Sequence, residues 1–100
     1  MFKKLFEKEK VTARRYRATF TTVDGKEHEG CVYNWMLINR VRDPERYIMI
    51  DIQSDGYIED SNGIMYILSN IVSIDWQIVE ERTVEDKYSE YQIFVKTLKE

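Results

Sequence analysis

The dipeptide Asp24-Gly25, flanked on both sides by alternating apolar and polar residues, is the feature that most restricts how this chain can fold. Asp-Gly suits the two positive φ angles of a type I′ turn, which joins two antiparallel strands through two residues. Such a turn places Val23 opposite Lys26, and residues that face each other in the ladder share a face of the sheet. The predicted apolar face therefore holds Tyr16, Ala18, Phe20, Cys31, Tyr33 and Trp35.

Further turn signals lie in the middle of the chain. The sequence Asp43-Pro44-Glu45-Arg46 predicts a turn, because proline presets φ and aspartate favours the first turn position. Residues 47–53 alternate isoleucine with other residues, which predicts a strand. Asn62-Gly63 predicts a second two-residue hairpin, with Ile58 opposite Ile67.

A fifth strand is predicted over residues 71–79, where apolar and polar residues alternate again. Just before it, Leu68-Ser69-Asn70-Ile71-Val72 resembles the short helical turn that precedes the last strand of SH3-type barrels. Residues 36–42 fit no single pattern. The expected fold is mainly β: a small, strongly bent five-stranded antiparallel sheet, or a partly open SH3-like or OB-like barrel, with a C-terminal helix.

The C-terminal helix is predicted from a change of period. Spacings of 4, 3, 4 and 3 residues separate Val84, Tyr88, Tyr91, Val95 and Leu98, and this apolar stripe is expected to pack over the sheet. Its start has a Thr and, three residues later, an Asp, which resembles a capping box. The alternative is a strand over residues 91–98, because Tyr, Ile, Phe, Val and Thr are weak helix formers.

Length and composition indicate a single domain over residues 1–100. A chain of 100 residues, 43% of them hydrophobic, can bury about two thirds of its surface without a disulfide. We expect a short basic amphipathic segment at residues 1–10, a β-barrel core over 11–80 and the helix over 83–99. The longest uncharged run, residues 61–74, is too short to span a membrane. With one cysteine, the expected location is cytoplasmic.

Few residues offer catalytic chemistry. Cys31 and His28 form the single nucleophile and base candidate pair, and the predicted register points them to opposite faces. A buried, inert thiol and a surface histidine are therefore expected. We predict no catalytic residue and no cofactor, and the sequence identifies no small-molecule substrate.

Residues 51–62 match part of a calcium-loop pattern, but Asn62 stands where a bidentate Glu is needed, so two β-turns are expected. A two-residue turn at Asp55-Gly56 would set Asp51 opposite Asp60, and like charges destabilise a ladder. This leaves open either a longer loop or a bound cation.

Two groups of residues are candidates for binding partners. The first 17 residues carry seven Lys/Arg and two Glu, while the rest of the chain is acidic. Possible phosphate contacts are Lys3, Lys4, Arg14, Arg15 and Arg17. A possible partner interface consists of Phe2, Leu5, Phe6, Tyr88, Tyr91, Phe94 and Val95.

These groups predict a non-enzymatic protein-interaction or assembly module, with a protein partner or self-association to a homo-oligomer. The alternative is a nucleic-acid-associated module that uses the basic N-terminal region. A membrane partner is not expected, because one short helix without a lipid anchor binds a bilayer weakly. The excess of isoleucine over alanine is typical of AT-rich bacterial or phage genomes.

Overall fold

The computed structural model describes residues 9–98 and confirms the mainly β class. A strongly curled antiparallel sheet forms a half-barrel, accompanied by one helix. Short 3₁₀ turns precede the helix (Ile38–Arg40) and the longest strand (Leu68–Asn70). In chain order the other elements are β1 (Lys10–Thr22), β2 (Glu27–Val32), β3 (Trp35–Leu37), α1 (Pro44–Asp55), β4 (Tyr57–Glu59), β5 (Met65–Ile67), β6 (Ile71–Glu85) and β7 (Phe94–Val95).

The long strands β1 and β6 form an antiparallel ribbon that runs through the whole molecule. The other edge of β1 pairs with β3 near its start and with β2 near its end, and β7 pairs with β3. β4 and β5 form a separate hairpin. The ribbon makes the molecule elongated, with extents of 60 × 21 × 18 Å. Its radius of gyration is 16.3 Å, against about 13 Å for a compact chain of this size.

The core is divided into two clusters on opposite faces of β1. Buried residues of β1 are even-numbered from Tyr16 onward and odd-numbered at Val11 and Ala13, and alternate residues of a strand point to opposite faces. The first cluster, beneath α1, is Tyr16, Ala18, Phe20, Met36, Ile48, Ile52 and Ile58. The second cluster is Val11, Ala13, Trp35, Leu37, Val84 and Val95.

Residues 44–55 form helix α1, so the predicted strand over 47–53 and the predicted isolated turn before it are wrong. Ile48 and Ile52 are buried while Ile50 is 53% exposed, which is the spacing of one helical face. Pro44 occupies the first turn, where its missing N–H costs nothing, and Gly56 ends the helix in the left-handed conformation. Gly56 is thus a helix cap, and Asp51 lies on the helix rather than opposite Asp60.

Both Asp24-Gly25 and Asn62-Gly63 connect antiparallel strands as predicted, but the predicted turn type is wrong. In each turn only the glycine has a positive φ, near 83°, so neither is type I′. Each is the longer connection, a type I turn followed by a left-handed glycine. The register near each turn is consequently displaced by one residue, with Thr21 opposite Glu27 and Ile58 opposite Tyr66.

A β-bulge opposite Ala18 returns the first hairpin to its predicted register. Arg17 faces Val32 as predicted, whereas Phe20 faces His28. The three-residue turn places His28 opposite Phe20 on the α1 side of the sheet, with 5.2 Å between the ring centroids. The bulge turns Cys31 to the same side, so the prediction of opposite faces for His28 and Cys31 is wrong. Trp35 also departs from prediction, because Met36 faces Arg14 and Trp35 turns to the second cluster.

The C-terminal helix is wrong, both as residues 84–98 and as the domain segment 83–99. β6 continues to Glu85, and β7 is a strand of two residues within the alternative segment 91–98. Thr83 pairs with Thr12 in the ladder and caps no helix. The weak helix propensity of Tyr, Ile, Phe and Val explains this outcome. The prediction that the apolar stripe beginning at Val84 packs on the sheet is nevertheless correct for most of it, since all its residues except Tyr91 pack into or against the second cluster.

Candidate functional site

The outer edge of β6 is the most distinctive surface of the molecule. Among residues 9–98, β1 is the only strand that pairs with β6, so the opposite edge of this 15-residue strand has no strand neighbour there. Its apolar side chains remain accessible: Val72 is 63% exposed, Ile78 48% and Val79 37%. Ile74 and Trp76 are half-buried against the first cluster. We call Val72, Ile74, Trp76, Ile78 and Val79 the β6 edge.

Two bulges bound the regular part of the β6 edge. Thr21 faces Ser73 and Thr22 faces Ile71, so Val72 is an extra residue, and Val79 is extra in the same way. Between them, residues 73–78 contain no Lys, Pro or Gly, and Asp75 is their only charge. Proteins commonly protect exposed edges with Lys or Pro. The regular segment of β6 has neither of these protections.

A groove of about 430 Å³ runs beside this edge, between β6 and α1. Trp76 forms one wall and lies 6.0 Å from the Tyr33 ring, centroid to centroid. None of the lining side chains is charged, a composition typical of the centre of a protein interface. The groove is lined by Met49, Gln53, Leu68, Ile71, Val72, Ser73, Ile74 and Trp76.

The three described arginines among the predicted phosphate contacts each meet a carboxylate. Arg14 donates to the Tyr16 hydroxyl and to Glu81, and its pKa is raised first by the hydrogen bond to Tyr16 and then by the one to Glu81. The other two pairs are Arg15 with Glu80 (3.8 Å) and Arg17 with Glu29 (2.5 Å). Arg14 also points to the opposite face from Arg15 and Arg17. Lys3 and Lys4 lie outside the described residues.

The predicted partner residues are dispersed. Val95 is buried in the second cluster, Tyr88 packs against that cluster, and Phe94 packs against the first. Tyr91 is 86% exposed and is the one described member that is fully accessible. Phe2, Leu5 and Phe6 lie outside the described residues. The β6 edge was missed, although the adjacent apolar pairs Ile71-Val72 and Ile78-Val79 interrupt the alternation at both ends of residues 71–79.

A smaller pocket of about 270 Å³ lies at the C-terminal end of α1. Cys31 and Tyr33 line it together with the carboxylates of Asp51, Asp55 and Glu59. Burial raises the pKa of the Cys31 thiol, and Glu59 adds to the effect, so the nucleophilic thiolate is disfavoured. Within residues 9–98, no group of three or more His, Cys, Asp or Glu side chains is arranged to hold a metal ion.

Asp60 organises the turn at Asn62-Gly63. Its carboxylate accepts hydrogen bonds from the backbone N–H groups of Asn62 and Ile64, both at 2.9 Å, and from the Tyr66 hydroxyl at 3.3 Å. The bond from Ile64 is the main reason that the pKa of Asp60 is lowered. Protein donors thus stabilise this carboxylate. The pairing of Asp51 with Asp60, which led to the expectation of a longer loop at Asp55-Gly56 or a bound cation, does not occur, because Asp51 lies on α1.

These features define a small antiparallel β half-barrel with one helix and an open strand edge. No family model matches the chain, and no curated protein or solved structure matches it significantly. In the part of the chain from residue 9 to residue 98, no helix is long and apolar enough to cross a membrane.

Proposed function

We propose that this protein is a non-enzymatic assembly module that binds a polypeptide strand along the β6 edge. The observation that carries the proposal is the 15-residue strand whose outer edge has no strand neighbour among residues 9–98. Backbone N–H and C=O groups along such an edge can add another strand to the sheet. The affinity of this binding mode comes from main-chain hydrogen bonds.

The groove beside the edge supports the same function. An added strand points alternate side chains to the α1 side of the sheet, where the uncharged groove lies. Pockets for alternate side chains give strand addition its specificity. We therefore expect the preferred partner segment to be extended, with β-branched or aromatic residues at every second position.

The nucleic-acid alternative remains a prediction and has less support. The carboxylates that meet Arg14, Arg15 and Arg17 leave little positive charge on β1 for phosphates. The basic residues before Glu9 are left as the phosphate-binding candidates. A gel shift with mixed-sequence DNA and RNA at low salt distinguishes the alternative, since strand addition predicts no retardation.

Selection from a random peptide library by sparsely immobilised protein tests the proposed function. We expect enriched peptides with alternating β-branched residues that bind wild type and Val23→Lys but not Val72→Lys. The two valines are matched controls, being 64% and 63% exposed, and only Val72 lies on the β6 edge. Absence of enrichment, or equal binding of the selected peptides to Val72→Lys, contradicts the proposal.

A further inference from the structure

We infer that the strand bound at the β6 edge is β6 of a second copy, paired antiparallel about a two-fold axis at Trp76. This inference rests on the proposed function and names the partner. In a two-fold interface, if residue i of one copy contacts residue j of the other, then j also contacts i. A strand that pairs with itself must therefore be complementary to its own reverse sequence around the axis.

The regular segment of β6 has this property. Around Trp76 the order is Ile74-Asp75-Trp76-Gln77-Ile78, so apolar and polar residues read the same in both directions. With the axis at Trp76, Ile74 faces Ile78 of the second copy and Asp75 faces Gln77. Facing residues share a face of the sheet, so the isoleucines and tryptophans gather on the α1 side. No like charges oppose each other in this register.

Neighbouring registers are less complementary once the bulge at Val79 is counted. An axis at Gln77 sets Asp75 opposite Glu80, and an axis at Glu80 or Glu81 sets a glutamate opposite itself. An axis at Ile78 sets Trp76 opposite Glu81, whose carboxylate already accepts a hydrogen bond from Arg14. Like-charge repulsion therefore counts against the axes at Gln77, Glu80 and Glu81, whereas the axis at Trp76 pairs isoleucine with isoleucine and opposes no like charges.

The same register brings an apolar side chain of the second copy to the groove and joins the half-barrels. Ile74 and Trp76 line the groove, so pairing brings the Ile78 side chain of the second copy beside it. The two curled sheets become one continuous sheet across the axis. Each β6 edge is thereby covered by an identical one, which removes one of the unpaired edges that an open half-barrel leaves.

Sedimentation equilibrium of the full-length protein and two variants tests the inference. We expect dimers for wild type and for Ile50→Lys, in which the changed side chain lies on exposed α1 surface. Ile78→Lys should raise the dissociation constant at least about tenfold, because two lysines per dimer enter the apolar part of the edge. A monomeric wild type at its highest soluble concentration, or a dimer unaffected by Ile78→Lys, overturns the inference.

The register is tested by disulfide formation in a Cys31→Ser background. Facing Cα atoms in an antiparallel pair are about 4.5–5.5 Å apart, which a disulfide can bridge. An equimolar mixture of Asp75→Cys and Gln77→Cys should therefore cross-link between the two variants faster than either variant cross-links alone. Equal rates, or faster homodimer formation, overturn the axis at Trp76.

The peptide selection separates failure of this inference from failure of the proposed function. A monomer that still enriches peptides at the β6 edge overturns the second-copy partner and leaves strand binding intact. A monomer that enriches none overturns both.

Discussion

Gly30 lies within the bulge that sets the register of the first hairpin. A Cβ at this position would stand 2.5 Å from the backbone oxygen of Ala18, closer than real Cβ contacts allow. We expect Gly30→Ala to lower the free energy of unfolding by about 2–3 kcal/mol, since backbone must shift to accept the methyl group. Urea denaturation measures this loss.

Gly25→Ala is the control for Gly30→Ala. Gly25 has open space around it and a positive φ, so its substitution should cost only about 1 kcal/mol through backbone strain. Equal losses for the two variants would show that the close approach at Gly30 does not hold the bulge.

Asp60 gives stability a defined pH dependence. The pKa of Asp60 is lower in the folded than in the unfolded state. Between these two pKa values the unfolded chain therefore binds more protons than the folded one, and stability falls as the pH falls. The contribution of Asp60 is complete above the unfolded aspartate value of about 3.9 and is lost below it. We expect Asp60→Asn to be less stable than wild type at pH 7. We also expect it to lose less stability than wild type when the pH falls from 7 to below the unfolded aspartate pKa. Thermal melts across pH measure both changes.

Asp24 and Asp86 also have lowered pKa values, caused first by hydrogen bonds from Thr22 and Arg40, respectively. Both carboxylates remain in Asp60→Asn, so the flattening of the pH profile should be partial. Parallel profiles for wild type and the variant would contradict the role of Asp60.

At the scale of elements, Arg40 holds the irregular C-terminal segment against the sheet. Its guanidinium donates to both Asp86 carboxylate oxygens at 2.5 Å and to the carbonyl of Gln92 at 2.9 Å. A lysine cannot reproduce this planar set of donors. We expect Arg40→Lys to cost about 2 kcal/mol and to speed amide exchange in residues 86–95.

The exposed Arg42 supplies the control for Arg40. Arg42→Lys should change the free energy of unfolding by less than about 0.5 kcal/mol and leave exchange in residues 86–95 unaltered. The same exchange rates in Arg40→Lys as in wild type would contradict the anchoring role.

The elements also show which parts of the fold the sequence could predict. Alternation and the Asp24-Gly25 turn located β1, β2 and most of β6 correctly, because alternate residues over most of β1 and β6 pack into or against a core cluster. Alternating isoleucines misled at α1, since Ile48 and Ile52 fit a period of two and also the helical i, i+4 spacing. The signals that decide between them were the adjacent Pro44 at the helix start and Gly56 at its end.

Turn chemistry caused the register errors. Asp-Gly and Asn-Gly fit both a two-residue and a three-residue connection, and the two differ by one residue in register. The candidate site was harder to predict from the sequence than the register. That Val72 and Ile78 lie on an uncovered edge depends on which strand becomes the neighbour of β6, and this long-range pairing has no local sequence signal.

At the scale of the whole molecule, one ribbon supports two small cores, and within residues 9–98 the outer edge of its long strand β6 has no strand neighbour. The elongated shape follows from this arrangement, because each cluster covers a different part and face of β1. Association through the β6 edge would double the number of strands in the sheet and bury apolar surface that neither cluster covers. The central claim is therefore that the β6 edge is a protein-binding surface used between copies.

Hydrogen exchange of the β6 amides as a function of protein concentration tests this claim most directly. In an antiparallel ladder, about every second amide of residues 73–78 bonds to β1, and the others point to the open edge. The outward amides should become more protected as wild-type concentration rises, and this gain should disappear in Ile78→Lys. Protection of the outward amides that is independent of concentration would contradict the account.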